Sequence, residues 1–235
     1  MEASRNSLRA KLNAVIEALR LIRDGMTIGV GSGSTINLFL RELAKRVKCE
    51  GLEVEIVPAS LSTELIASEL GIKVRPFHSV EELELAIDGA DEVDEDLNLL
   101  KGKGGALARE KLIDYSSKEY VVIVDSSKLS SRIGEKAPLV IEVLPLAWKY
   151  VSVELERKFG FKPKLRIAKR KNGPIISDNG NLLLDCEIEG GLKDASDIER
   201  EVNSIPGVLE NGIFSLRKPR RVIVGYNEGV RVLGI

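Results

Sequence analysis

The chain contains no glutamine, one tryptophan, one histidine and only two cysteines in 235 residues. Cys49 and Cys186 lie far apart and belong to no C-x-x-C pair, which argues against a disulfide framework or a cysteine-based zinc site and leaves two ordinary reduced thiols. The single histidine, His78, follows Phe77 in an expected loop and is read as noncatalytic, so acid–base chemistry falls to other side chains. Excess charge is also missing. Lys and Arg total 35 against 36 Asp and Glu, without a tail or long block of one sign, so nucleic acid is not expected as the main partner. Apolar runs are short and broken, and MEASRNSLRAKLN lacks the hydrophobic stretch of a signal peptide. A soluble cytoplasmic protein with no membrane partner is expected. The lack of glutamine beside abundant Glu, Lys, Arg, Ile and Val is in keeping with a thermophilic source.

What is present is a regular alternation. Leu8, Leu12, Val15, Ile16, Leu19 and Ile22 recur at helical spacing and stop at Asp24-Gly25. A buried strand at 27–30, a glycine-serine turn at 31–34 and a helix at 35–47 follow. The pattern continues with a strand near 54–57, a helix near 62–70 closed by Gly71, and a strand near 72–74. Ser79 and Glu82 form a capping-box pattern, followed by a strand at 85–87, a helix at 105–115 and a strand at 120–124. This alternation predicts an α/β fold with a mostly parallel sheet covered by helices. After about Ile133 the pattern changes to a smaller α+β domain. It holds a strand at 139–143, a helix opened by Pro145, strands flanking Asp178-Asn179-Gly180-Asn181, and a helix near 197–203 with Ser196 and Glu199 as its capping box. The apolar segments 221–224 and 230–233 are expected to rejoin the first sheet. The main domain is therefore placed at residues 1–133 with 209–235, and the smaller one at 134–208.

Three segments carry chemistry. In the first, Gly29 to Thr35, glycines allow close approach of a ligand to the backbone, and the following helix offers free N–H groups to an anion such as a phosphate. Ser34 stands where a dinucleotide fingerprint needs glycine, and the Gly-Lys-Ser/Thr ending of a nucleotide P-loop is missing, so a phosphate monoester on a small molecule fits better. Ser32, Ser34 and Thr35 add hydroxyls, although a tight turn needs glycine whatever it binds. The second segment, Asp88-Gly89-Ala90-Asp91-Glu92-Val93-Asp94, follows a strand. Gly89 and Ala90 leave room for a substrate between two carboxylates able to bind hydroxyls or pass protons between oxygens; a solvated acidic loop is the alternative. Metal binding is a rival reading of such an acidic cluster, against which its spacing fails the calcium-loop pattern and no histidine is near. In the third, Lys101-Gly102-Lys103-Gly104-Gly105 runs into a helix. Lys101 could stabilise an oxyanion and Glu110 could act as a base, while Arg109-Glu110-Lys111 taken alone reads as solvated surface. Lys128, in Asp125-Ser126-Ser127-Lys128, is a candidate phosphate ligand.

Taken together, GVGSGST, DGADEVD, KGKGGALAREK and DSSK, in this order and at these separations, resemble the ribose-5-phosphate isomerase A family, with looser likeness in PASLSTELIASELGI, SDNGNLLLD and SIPGV. The resemblance spans nearly the whole chain. It implies a Rossmann-like main domain and an aldose–ketose isomerase that interconverts D-ribose 5-phosphate and D-ribulose 5-phosphate through an enediol(ate), in the non-oxidative branch of the pentose phosphate pathway. It further implies that Glu110 is catalytic and that Asp88, Asp91 and Lys101 line the sugar site. Substrate binding would involve the loop Ser32, Gly33, Ser34 and Thr35, Lys128 and Lys11, together with the backbone around Gly89, Ala90, Gly102, Lys103 and Gly104. No cofactor is implied, and the expected assembly is a homodimer or homotetramer. One departure is Lys103, which interrupts a run that is often glycine in the family. Rival readings are a noncatalytic sugar-phosphate sensor, without any helix-turn-helix or basic extension to relay its signal, an amino-sugar phosphate deaminase and a nucleotide-dependent dehydrogenase.

Overall fold

A computed structural model describes the backbone of residues 2–234 and side chains from Asn6 onward. In chain order the elements are α1 (Glu2–Leu19), β1 (Met26–Val30), α2 (Ser34–Glu50), β2 (Val54–Pro58), α3 (Leu61–Leu70), β3 (Lys73–Val74), β4 (Leu83–Asp88), β5 (Glu92–Val93), β6 (Leu99–Leu100) and α4 (Leu107–Ser116). They continue with β7 (Ser117–Asp125), β8 (Leu139–Val143), α5 (Trp148–Phe159), β9 (Lys162–Leu165), β10 (Leu182–Glu187), α6 (Ala195–Asn203), β11 (Val208–Asn211), β12 (Ile213–Phe214), β13 (Arg221–Tyr226) and β14 (Gly229–Gly234).

The chain divides into two compact units. The first comprises Met1–Ala90, Arg109–Lys128 and Pro219–Ile235, and the second Asp91–Ala108 and Leu129–Lys218. These limits differ from those drawn on the sequence. Residues 91–108, 129–133 and 209–218, assigned there to the main domain, belong to the second unit. The reason is strand pairing: β5 pairs antiparallel with β6, and β6 with β12, which ties residues near 92 and 99 to residues 213–214 in one small sheet.

The first unit is a seven-stranded sheet in the order β14-β13-β7-β4-β1-β2-β3. Its strands are parallel except β14, which returns antiparallel to β13. The expected return of the C-terminal segments to this sheet is therefore observed. The central strands carry Ile28, Val30, Ile87, Val121 and Ile123 as near-continuous buried runs, because a parallel sheet is covered on both faces. Onto them α1 and α2 present Ala14, Val15, Ala18, Ile36, Phe39, Leu40 and Leu43 at helical spacing. Strand order reverses between β1 and β4, with β2 and β3 lying on one side and β7 and β13 on the other. Such a switch point leaves a crevice at the carboxyl ends of the strands.

The second unit holds a four-stranded antiparallel sheet, β11-β8-β10-β9, beside the small sheet. Its core gathers Leu139, Ile141 and Val143 of β8, Leu182, Leu184 and Cys186 of β10, Val151 and Leu155 of α5, and Val202 of α6. Both cysteines are free, Cys49 exposed and Cys186 buried, and burial pushes the Cys186 thiol up from its ordinary range.

Both expected capping boxes are overturned. Ser79 ends a 3-10 turn, Phe77–Ser79, and caps no helix, while the strand expected at 85–87 is observed within β4. Ser196 lies inside α6, whose N-cap is Asp194, and Glu199 instead accepts the amides of Ser215 and Leu216 at 2.7 and 2.9 Å. The turn at 178–181 has a full strand, β10, only on its far side; before it stands a single bridge, Ile176 to Leu182. The carboxylate of buried Glu142 draws that turn inward by accepting from Ser177 and from the Asn179 and Asn181 side chains. Among the described residues no helix is long and apolar enough to cross a membrane.

Candidate active site

Parallel pairing of β1 with β4 sets Val30 opposite Ile87, and the Gly31 amide extends the ladder by donating to the Ile87 carbonyl at 2.9 Å. The loop after β1 therefore runs beside Asp88 and Gly89 at the switch point. Asp88 is fully buried, and its Oδ1 accepts from the amides of Ser32 at 3.3 Å and Gly89 at 2.6 Å. A Cβ on residue 31 would stand 1.7 Å from that oxygen, so only glycine leaves Asp88 its place. At residue 29 a Cβ would meet Ile113 of α4 at 2.4 Å. Gly29 thus lets α4 close on β1. At these two positions glycine makes room for neighbouring side chains. Gly33, at φ 99°, is the one whose left-handed backbone opens α2.

One helical turn before Ile113 stands Glu110, 4% exposed, whose Oε1 accepts the Ser32 hydroxyl at 2.5 Å. Burial removes the solvated-surface reading of Arg109-Glu110-Lys111 for two of its members, since Lys111 is also buried, with Nζ 6.0 Å from the Tyr115 ring centre. Ser32 therefore joins both carboxylates, one through its amide and the other through its hydroxyl.

At the start of α2 no side chain caps the helix, leaving the first-turn N–H groups for an anion. Lys11, from α1, donates to Ser34 Oγ at 3.0 Å and brings a cation to that end; Thr35 follows on the first turn. Thr63 holds the loop by donating its hydroxyl to the Gly31 carbonyl at 2.7 Å, and Ser60, the α3 N-cap, accepts the Thr63 amide. This support was missed in the sequence, where the Ser60 capping position was its only signal. Lys128 ends the 3-10 turn Ser126–Lys128 after β7, and no side-chain hydrogen bond joins it to the Lys11–Ser34 pair. His78 lies exposed in its turn after β3.

The second unit carries Asp91, Ala106 and the loop at Lys101, Gly102, Lys103, Gly104 and Gly105. Asp91 donates its amide to the Leu100 carbonyl at 2.8 Å and accepts the Lys103 amide on Oδ2 at 2.9 Å. Lys101 is 3% exposed; its amide donates to the Gly212 carbonyl at 2.8 Å and its ammonium lies 5.4 Å from the Phe214 ring centre. The Lys103 side chain is exposed, whereas its backbone amide makes the contact that matters, which explains why a non-glycine residue fits there.

The acidic run is not a solvated loop. Fully buried Glu92 accepts the amides of Glu135, Lys136 and Ala137, and Asp94 accepts those of Asp96 and Asn98. Glu92 and Asp94 are thus committed to holding backbone. Among the described residues no group of three His, Cys, Asp or Glu side chains is placed to hold a metal ion.

Strand order, switch-point carboxylates and the uncapped α2 define an α/β protein of the Rossmann-like class. The family model for ribose 5-phosphate isomerase A (phosphoriboisomerase A) matches residues 55–229, and the chain belongs to that family. The ribose-5-phosphate isomerase A of Methanococcus aeolicus is 46% identical over 224 residues, covering 95% of this chain and 94% of that protein. The solved structure of ribose 5-phosphate isomerase A from Methanocaldococcus jannaschii aligns with a TM-score of 0.91 at 41% identity, covering 96% of this chain and 98% of that one. A D-ribose-5-phosphate isomerase solved in complex with phospho-erythronic acid aligns with a TM-score of 0.94 at 42% identity, covering 98% and 100%.

Proposed function

We propose that the chain interconverts D-ribose 5-phosphate and D-ribulose 5-phosphate through an enediol(ate), with Glu110 as the base. The observation that carries this reading is a buried glutamate, fixed by the Ser32 hydroxyl, in a chain of the isomerase family. Aldose–ketose isomerisation moves one proton between C2 and C1 and another between O1 and O2. A single carboxylate serves both carbons. Glu110 takes the C2 proton of open-chain ribose 5-phosphate, the C1–C2 enediol(ate) forms, and Glu110 returns the proton to C1.

Lys101 supplies a cation to the oxygen that gains negative charge, and Asp91 relays the hydroxyl proton between O1 and O2. One Asp91 oxygen is occupied by the Lys103 amide, which leaves the other for that relay. Asp88, oriented by two amides, accepts from sugar hydroxyls beside Gly89 and Ala90. Gly33, Ser34, Thr35 and Lys11 hold the phosphate at the start of α2, with Lys128 as a further cation and the backbone of Gly102 and Gly104 shaping the sugar's surroundings. Phosphate binding at a distance from the reacting carbons helps hold C1 and C2 within reach of Glu110 and so contributes to turnover as well as affinity.

This chemistry calls on no cofactor and no metal. The setting that accompanies it is a cytoplasmic homodimer or homotetramer working in the non-oxidative pentose phosphate branch. Chelator-treated purified protein is expected to convert ribose 5-phosphate to ribulose 5-phosphate. A folded protein that binds the sugar phosphate and never turns it over would contradict the reading.

A further inference from the structure

Arg166 directly follows β9, and its main chain is fixed at both groups: its amide donates to the Leu183 carbonyl at 2.9 Å and its carbonyl accepts the Ile175 amide at 3.0 Å. The Arg166 side chain is 14% exposed. Nε donates to both oxygens of Asp185, at 3.2 and 2.9 Å, and Nη2 donates to Oδ1 of the same carboxylate. Nη1 donates to two backbone carbonyls, Gly102 at 3.2 Å and Lys103 at 3.1 Å. One side chain thus spans from β10 to the glycine-rich loop.

That loop needs holding. Gly102, Gly104 and Gly105 stand among five residues, and Gly102 and Gly105 occupy positive φ, 112° and 82°. Such a segment has many accessible conformations. The Gly105 amide closes a turn onto the Gly102 carbonyl at 2.9 Å, and the Lys103 amide donates to Asp91. Arg166 engages the carbonyl side of this segment while Asp91 engages an amide. A shift in the loop would therefore move Lys101 and rotate the Asp91 carboxylate together.

We propose that Arg166, backed by Asp185, is a positioning residue for the isomerisation: it fixes the 101–105 loop, and through it Lys101 and Asp91, for the proton transfers at O1 and O2. The proposal rests on the isomerase reading for its catalytic half. Only arginine suits the task, because its rigid fork grips a carboxylate with one edge while the remaining N–H groups reach two carbonyls; a lysine ammonium is a single point.

The test uses the full chain with Arg166→Lys, which keeps a cation opposite Asp185, and Arg166→Ala. Hydrogen exchange at residues 102–105 is followed alongside kcat and KM for ribose 5-phosphate. In Arg166→Lys, faster exchange at these amides is expected, with kcat lower by roughly tenfold or more and KM within about threefold. Arg166→Ala should lose more, and Asp185→Asn should move both readouts in the same direction. Wild-type exchange at 102–105 in Arg166→Lys, or faster exchange with an unchanged kcat, would overturn the proposal. The wild-type rate separates the two claims, since a wild type inactive on ribose 5-phosphate sinks the isomerase reading and the catalytic half with it, while the exchange still tests the loop contact.

Discussion

Ser32 donates its hydroxyl to Glu110 at 2.5 Å while its own amide donates to Asp88 at 3.3 Å, so one loop residue sets the position of two buried carboxylates. Ser32→Ala removes the first contact and leaves the second. Turnover is expected to fall by about tenfold through looser placement of Glu110, with KM changed far less. An unchanged kcat would show that Ser32 does not orient the base.

Gly31→Ala tests the space reserved for Asp88. The new methyl would lie 1.7 Å from Asp88 Oδ1, and the backbone cannot easily retreat because both its amide and its carbonyl are hydrogen-bonded. The carboxylate must move instead. Overpacking of this kind costs about 1–3 kcal/mol of stability, and displacing a carboxylate of the site should lower kcat by roughly a hundredfold. Denaturant unfolding and steady-state kinetics measure the two effects; kcat within about threefold of wild type would contradict this placement.

Lys11→Ala tests the phosphate end. Losing a charged contact should lower kcat/KM for ribose 5-phosphate by at least about tenfold and weaken competition by inorganic phosphate. Any slow turnover of unphosphorylated ribose should be unaffected. Equal losses on both sugars would place Lys11 outside the phosphate site.

Glu92 makes a prediction about stability alone. Three amides converge on its carboxylate, so Glu92→Gln sets an N–H donor against at least one of them and should cost about 2 kcal/mol in urea unfolding. A loss below about 0.5 kcal/mol would mean that the 135–137 backbone finds other partners.

Much of this architecture is legible in the sequence because helix and strand periods differ. The stripe from Leu12 to Leu19 and the run Tyr120 to Val124 read directly, and Gly71 marks the end of α3 as a left-handed cap. The failures share a cause, long-range competition for a local signal. Ser79 and Glu82 have capping spacing, yet no helix follows them, and the strand read at 85–87 joins the sheet as β4. Glu199 has the right offset from Ser196, yet amides at 215 and 216 claim its carboxylate. Strands β5 and β6 have two residues each, too short for any period, and the pairing of β5 with β6 and of β6 with residues 213–214 moved the domain limits. Within DGADEVD the four carboxylates look alike in the sequence, whereas contacts separate them: Asp88 accepts the amides of Ser32 and Gly89, Asp91 that of Lys103, Glu92 those of residues 135–137 and Asp94 those of Asp96 and Asn98. Arg166 gave no signal, being one cation in KLRIAKRK whose loop partners stand 64 and 63 residues away.

The most direct test of the account is Glu110→Gln, which keeps the side chain's shape and removes the base. Purified variant and wild type are compared for ribose 5-phosphate binding and for turnover after chelator treatment. The account predicts a folded variant that binds the sugar phosphate with near-wild-type affinity and loses at least about a hundredfold in kcat. Near-wild-type turnover would contradict it and remove Glu110 from the mechanism.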